Sequence, residues 1–116
     1  MRKILIIDDS TTSRAVVKVY LSGHSLEFLE ANNGQDGLQL ARVERPDAII
    51  IDLKMPGMDG MTFCRKVRAE NALKHIPIIL ITGSKGADVR NEALRSGASV
   101  FLTKPIDVPT LAKVIL

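Results

Sequence analysis

Three aspartates stand directly after short apolar runs. Asp8 and Asp9 follow Lys3 to Ile7 (KILII), and Asp52 follows Asp47 to Ile51 (DAIII). Two further runs, Ile76 to Ile81 and Ser99 to Leu102, lead into Thr82-Gly83-Ser84 and Thr103-Lys104-Pro105. If these runs lie side by side, three carboxylates, a hydroxyl and a lysine meet on one edge. Carboxylates clustered without compensation repel one another and their pKa values rise. A divalent cation is the natural compensation, and hard oxygen donors without histidine or thiolate favour Mg2+, or Mn2+, over zinc. Such an ion, held by few carboxylates, keeps positions open for water and a phosphoryl oxygen. Lys104 supplies a point charge for a second phosphoryl oxygen, and the Thr82 hydroxyl can donate to a third. This is equipment for phosphoryl transfer, where catalysis is mainly positioning and charge neutralisation. Asp52 is the candidate nucleophile because it stands alone after a central strand. Asp8 and Asp9 come as a pair suited to holding metal.

The elements that must position these groups alternate along the chain. Lys3 to Ile7 reads as a buried strand. Ser10 or Thr11 can cap a helix in which Ala15, Val16, Val19 and Tyr20 recur at helical spacing, with Gly23 as terminator. Ser25 to Glu30 reads as a half-exposed strand and Asn33-Gly34 as a turn. Leu38 and Ala41 share a face of a second helix that ends before Pro46. The strand Asp47 to Ile51 precedes a loop through Pro56-Gly57 and Asp59-Gly60. Phe63, Cys64 and Val67 then line a third helix. Ile76 to Ile81 is a fourth strand. Val89, Ala93 and Leu94 mark a fourth helix that stops at Gly97. Ser99 to Leu102 is a fifth strand, and Asp107 caps a last helix with Pro109 in its first turn. Five strand-then-helix repeats with strands apolar on both faces predict an α/β protein, a parallel sheet covered by helices on both sides. Ligands of such sheets bind beyond the carboxyl ends of the strands, where the acidic and basic groups fall.

ILIIDDS at the first strand, IIIDLKMPGMDG at the third, LITGS at the fourth and FLTKP at the fifth stand in one order over the whole chain. In this set the sequence resembles the receiver domain of bacterial two-component response regulators, of the chemotaxis-regulator kind. The resemblance implies a flavodoxin-like (βα)5 three-layer sandwich with strand order 2-1-3-4-5. It implies that Asp52 accepts a phosphoryl group from a phosphohistidine of a sensor histidine kinase or histidine phosphotransfer protein. Asp8, Asp9, Asp52 and the backbone carbonyl of Lys54 would hold Mg2+. Lys104 would contact the phosphoryl group, and its bond to Pro105 would be cis. Thr82 would turn inward on phosphorylation and Phe101 would follow, as a switch; Phe101 also reads simply as a core aromatic. The Lys54 side chain occupies a position where the family tunes phosphate lifetime, and Ser84 is the second such position.

Other functions compete for the same residues. A phosphatase or transferase that turns over an aspartyl phosphate needs a second acid in a DxD arrangement, and Asp52-Leu53-Lys54 lacks it. A receiver-fold binding or dimerisation module acting without phosphorylation has no need of the full acidic and basic set. The protein is therefore expected to be a signalling phosphoacceptor and no enzyme beyond its own phosphorylation and dephosphorylation. The net charge of +3 raises nucleic acid as a partner. The basic residues are scattered, however, apart from Arg65-Lys66-Arg68, and aromatics are 3%. A solvated helix face is the expected reading, with no direct nucleic-acid contact.

The chain has 116 residues, one domain's length, with 46% hydrophobic and 25% charged residues, which excludes intrinsic disorder. Its single cysteine, Cys64, excludes an internal disulfide and, with two histidines, the common zinc sites. Cys64 reads as a core residue, and His24 and His75 as solvated. The basic start is followed by too short an apolar run for a signal peptide, and no run approaches a membrane span, so a cytoplasmic protein without membrane contact is expected. The resemblance implies a docking region for the kinase on the first helix, with Arg14, Ala15 and Lys18. It also implies an output face on the fourth helix, fifth strand and fifth helix, with Arg90, Arg95, Phe101 and Lys113, where an effector or a second copy of the chain would bind. The last helix runs from Val108 to a bare apolar end at Leu116. The natural chain is therefore expected to continue, into an effector domain.

Overall fold

The structure is a computed structural model and describes residues 2–83 and 86–115. Ser84 and Leu116 lie outside the described residues. The elements are β1 (Arg2–Ile7), α1 (Thr11–Tyr20), β2 (Leu26–Ala31), α2 (Gly34–Glu44), β3 (Ala48–Asp52), α3 (Gly60–Ala69), β4 (Ile78–Thr82), α4 (Ala87–Ser96), β5 (Val100–Thr103) and α5 (Val108–Ile115). The strands form one parallel sheet in the order β2-β1-β3-β4-β5. This is the flavodoxin-like order that the resemblance implies, with helices on both faces.

Alternation along the strands divides the core. Leu5, Ile7, Ile49, Ile51, Ile78 and Leu80 face one side, where they pack with Leu38, Phe63, Cys64 and Val67 of α2 and α3. Ile4, Ile6, Ile50, Ile79 and Ile81 face the other, with Val17, Leu21, Leu111 and Ile115 from the α1 and α5 side. Both faces of β1, β3 and β4 are thus buried, which is why those strands read as continuous apolar runs rather than alternating ones. The outer strand β2 is half exposed, as its alternation predicts.

The helix boundaries follow capping chemistry. Ser10 accepts from the Ser13 amide, Asn33 from Asp36 and Asp59 from Thr62, each filling an otherwise orphaned donor of the first turn. Helix α2 ends at Glu44 with Arg45 left-handed (φ 47°), because Pro46 disfavours a helical residue before it. Gly97 (φ 116°) stops α4, as expected. Asp107 accepts from the Thr110 amide at 3.0 Å at the start of α5.

Both α1 and α4 form as expected, but packing selects only some of their apolar residues for the core. The inward face of α1 carries Val17, followed by Leu21 at its cap, whereas Val16 and Val19 are exposed. Tyr20 packs only partly against the core. Apolar residues at 15, 16, 17, 19, 20 and 21 cover a broad arc of this helix, so periodicity alone does not single out its inner face. Leu94 on α4 also faces outward, while Ala93 is buried.

Candidate functional site

The carboxyl ends of β1, β3, β4 and β5 lie side by side, and each delivers one part of the site. Asp8 is nearly buried and is fixed at three points. Its amide donates to the Ala31 carbonyl at 3.1 Å, its carboxylate accepts from the Ser10 amide at 2.9 Å, and its carbonyl accepts from Arg14 Nη1 at 2.6 Å. Asp9 follows, exposed. Asp52 is the last residue of β3, in register with Ile81 and half-buried. The loop after it folds back at once: the Leu53 amide donates to the Ile81 carbonyl and the Gly60 amide to the Leu53 carbonyl, both at 2.9 Å. Met55 is buried beneath this loop, and Asp59 ends it by capping α3.

Thr82 ends β4 and is buried at 1% exposure. Its carbonyl accepts from the Lys104 amide at 2.8 Å, which ties the end of β5 to the end of β4 and carries Lys104 to the site. The Lys104–Pro105 peptide bond is cis. Asp52, Lys54, Thr82, Gly83 and Lys104 line one cleft of about 350 Å3.

Carboxylate oxygens of Asp8, Asp9 and Asp52 lie within 4.8 Å of one another. Burial pushes the Asp8 and Asp52 carboxyls above the usual carboxylate range, and the neighbouring aspartates push the same way. The Lys104 ammonium opposes this for both, as do the Ser10 amide at Asp8 and the Lys54 amide at Asp52. The cluster is thus short of positive charge. Its donors are all hard oxygens, which fits a hexacoordinate ion such as Mg2+ and not a thiophilic one.

Phe101, in the middle of β5, is half-buried and packs against the α2 and α3 side of the core. It also lines a separate surface groove with Gly86, Arg90 and Thr103. The Lys54 side chain is exposed.

The basic residues are less free than their sequence pattern suggests. Arg68 Nε donates to the Gly97 carbonyl at 2.9 Å, and Nη1 to the carbonyls of Lys74 and Ile76 at 2.9 and 2.7 Å. Its Nη2 donates to Ser99 Oγ at 3.2 Å. Arg65 Nη1 donates to Ser96 Oγ at 3.1 Å. The Arg65-Lys66-Arg68 cluster is therefore not simply a solvated face: Arg68 ties the end of α3 to the turn before β4 and to the start of β5. Arg14 and Lys18 on α1 both pair with Glu30 of β2, at 3.0 and 2.8 Å, and hold its carboxyl below the usual range, Lys18 more than Arg14. Cys64 is buried and its thiol pushed up to about 11, an unreactive core residue. His24 and His75 are exposed. Among the described residues, no helix is long and apolar enough to cross a membrane.

The geometry of four strand ends, a carboxylate cluster and an opposing lysine agrees with the family comparison. The response regulator receiver domain family matches residues 4–116. The chain is 38% identical to the protein PilH of Pseudomonas aeruginosa, over 99% of this chain and 95% of that one. It is 42% identical to the response regulator PleD of Caulobacter vibrioides over 90% of this chain, but spans only 23% of PleD's length. The crystal structure of the chemotaxis response regulator CheY4 of Vibrio cholerae superposes with a TM-score of 0.90 at 34% identity, covering 99% of this chain and 96% of that one.

The chain belongs to the response regulator receiver domain family. It is a receiver domain of two-component systems, homologous to CheY-like phosphoacceptor domains.

Proposed function

We propose that Asp52 is the phosphoacceptor of this receiver domain and that Asp8, Asp9, Asp52 and the Lys54 backbone carbonyl hold Mg2+, with Mn2+ as a substitute. The observation that carries the reading is the meeting of three carboxylates within 4.8 Å at the edge of the cleft that Lys104 and Thr82 line. The donor is a phosphohistidine of a histidine kinase or histidine phosphotransfer protein. An Asp52 carboxylate oxygen attacks phosphorus, the P–N bond breaks, and the imidazole leaves with the bond's electron pair and takes up a proton from solvent. Bound at the acidic cluster, the cation supplies charge neutralisation for the phosphoryl oxygens. Lys104 contributes a second positive charge from the opposite strand, and the Thr82 hydroxyl donates a hydrogen bond. Burial of Asp52 keeps its carboxylate poorly solvated and so more nucleophilic than a surface aspartate.

In this reading Thr82 and Phe101 form the switch. A new phosphoryl acceptor draws on the Thr82 hydroxyl, and half-buried Phe101 on the neighbouring strand repacks. The face of α4, β5 and α5, which carries Arg90, Arg95, Phe101 and Lys113, is then the output surface. It would take an effector protein, a following effector domain or a second copy of the chain. The protein acts in the cytoplasm as a signalling element whose only chemistry is its own phosphorylation and dephosphorylation. Neither phosphorylation-independent binding nor steady phosphatase turnover is favoured by any feature of the site.

The test is intact-mass spectrometry after incubation with acetyl phosphate and Mg2+. One phosphoryl group is expected on the protein and none on Asp52→Asn. Labelling that persists in Asp52→Asn, or continuous hydrolysis of an external phosphomonoester, overturns the assignment.

A further inference from the structure

The carbonyl of Asp8 belongs to the peptide unit that carries Asp9. Whatever holds that oxygen therefore sets the plane from which the Asp9 side chain departs. Arg14 Nη1 holds it at 2.6 Å from one turn into α1, while Arg14 Nε donates to Glu30 Oε1 at 3.0 Å. The guanidinium is mostly buried, with 14% of its side chain exposed, and its planar fork joins the residue after β1 to β2, while Nη2 also donates to Thr11 Oγ1 at 3.3 Å in the first turn of α1. The opposite side of the Asp8 residue is held by the Ala31 carbonyl at the end of β2, the strand that also carries Glu30. Asp9 itself is exposed, so little packing aims it, and its direction is inherited from this backbone. Lys18 shares Glu30 but makes no contact with the acidic loop among its hydrogen bonds here.

We propose that Arg14 is a positioning residue for cation binding, which orients Asp9 toward Asp8 and Asp52 by clamping the Asp8–Asp9 peptide against Glu30. This rests on the reading of the acidic cluster as a cation site. It also gives α1 a role apart from docking, since the Arg14 charge is turned inward to β1 and β2. The clamp has a signature that plain electrostatics does not share. Removing a cation near a metal site strengthens cation binding by Coulomb's law. Removing a group that aims a metal ligand weakens it, commonly by about 10- to 100-fold for partners of ligating groups.

The experiment is Mn2+ titration followed by electron paramagnetic resonance, without phosphodonor, on the wild type and on Arg14→Ala, Arg14→Lys and Lys18→Ala. Circular dichroism confirms folding of each. Arg14→Ala is expected to bind Mn2+ about tenfold more weakly. Arg14→Lys keeps the charge but not the fork, and is expected to lose at least about threefold. Lys18→Ala is expected to stay within about twofold of the wild type, because it removes a similar charge without touching Asp8. Affinity of folded Arg14→Ala equal to or above that of the wild type overturns the proposal, as does an equal loss in Lys18→Ala. If Arg14→Ala does not fold, Arg14→Lys decides, and unchanged affinity overturns the proposal. Acetyl phosphate labelling of the wild type is run in parallel. Its failure removes the phosphoacceptor reading and leaves the Mn2+ result to stand alone.

Discussion

A methyl group on Gly60 would lie 2.8 Å from the Asp52 carbonyl oxygen and 3.0 Å from Leu53 Cα. The first residue of α3 thus packs directly against the backbone that carries Asp52, and its amide donates to the Leu53 carbonyl at 2.9 Å. Gly60→Ala must push either the helix or the strand end away, and both contacted atoms are backbone. The expected result is a destabilisation of about 1–3 kcal/mol, read by urea unfolding. Acetyl phosphate labelling of Asp52 is expected to slow by about tenfold or more, since small misplacements of a reacting group are costly.

Asp52→Asn is expected to stabilise the cation-free protein at neutral pH. The Asp52 carboxyl lies above the usual range in the fold, chiefly through burial. The native state therefore keeps this proton to higher pH than the unfolded chain does. By linkage, stability falls as pH rises from the unfolded value through the raised native one. The variant lacks that loss, so its advantage should vanish in acid. A gain of about 1 kcal/mol, near 5 °C in Tm, is the expected size. Mg2+ should raise the Tm of the wild type far more than that of Asp52→Asn. Thermal unfolding with and without Mg2+ at pH 4 and pH 7 checks both statements.

Lys104→Ala removes the charge that opposes the rise at both Asp8 and Asp52. Both carboxyls should titrate at higher pH than in the wild type, as carboxyl 13C shifts would record. Labelling of Asp52 should fall by at least about tenfold, because a positive charge at the phosphoryl group is lost. Unmoved titrations would place Lys104 out of effective reach of the cluster.

Lys54→Ala separates the two parts that this residue plays. Its backbone amide and carbonyl remain, so cation binding should change little. Its exposed ammonium is lost, and the half-life of phosphorylated Asp52 should change by at least about twofold if that charge acts on the leaving phosphoryl group. Radiolabel decay after rapid removal of the donor gives the answer.

Arg68→Ala is expected to cost about 2–3 kcal/mol, since charge-assisted bonds to backbone carbonyls are lost and those acceptors lose a partner. Arg68→Lys should recover less than half, because one ammonium cannot reach the separate acceptors at Gly97, Lys74, Ile76 and Ser99. Urea unfolding of the three proteins measures both.

The strand ends were legible in the sequence because burial on both faces leaves an uninterrupted apolar run whose first polar residue marks the sheet edge. Asp8, Asp52 and Thr82 stand out that way, whereas Lys104 lies one residue beyond Thr103 after a half-buried strand and is marked by the FLTKP segment instead. The clamp at Arg14 was not legible. Its acceptor Glu30 lies on another strand, and a basic residue on a helix is ordinarily solvated. Arg68 was misread for the same reason: its acceptors at Gly97 and Ser99 come close only when β5 joins the sheet. Val17 was missed because residues 15, 16, 17, 19, 20 and 21 are all apolar, and such a pattern names no single inner face. Gly60 carried no signal beyond a turn, since close approach to a backbone is a property of the packed helix alone.

The two charged partners across the cleft stand on strands of unequal anchorage. Every residue of β3 before Asp52 is buried, whereas no residue of β5 is, and Lys104 follows directly after that outermost strand. Detaching β5 exposes less buried apolar surface than detaching β3, so the free energy of local opening is smaller there. Amide exchange should therefore be faster in β5 than in β3. The aspartate ends the better-buried strand, and the lysine follows the less-buried one. An anion bridging the two charges would join the least buried end of the sheet to one of its well-buried inner strands.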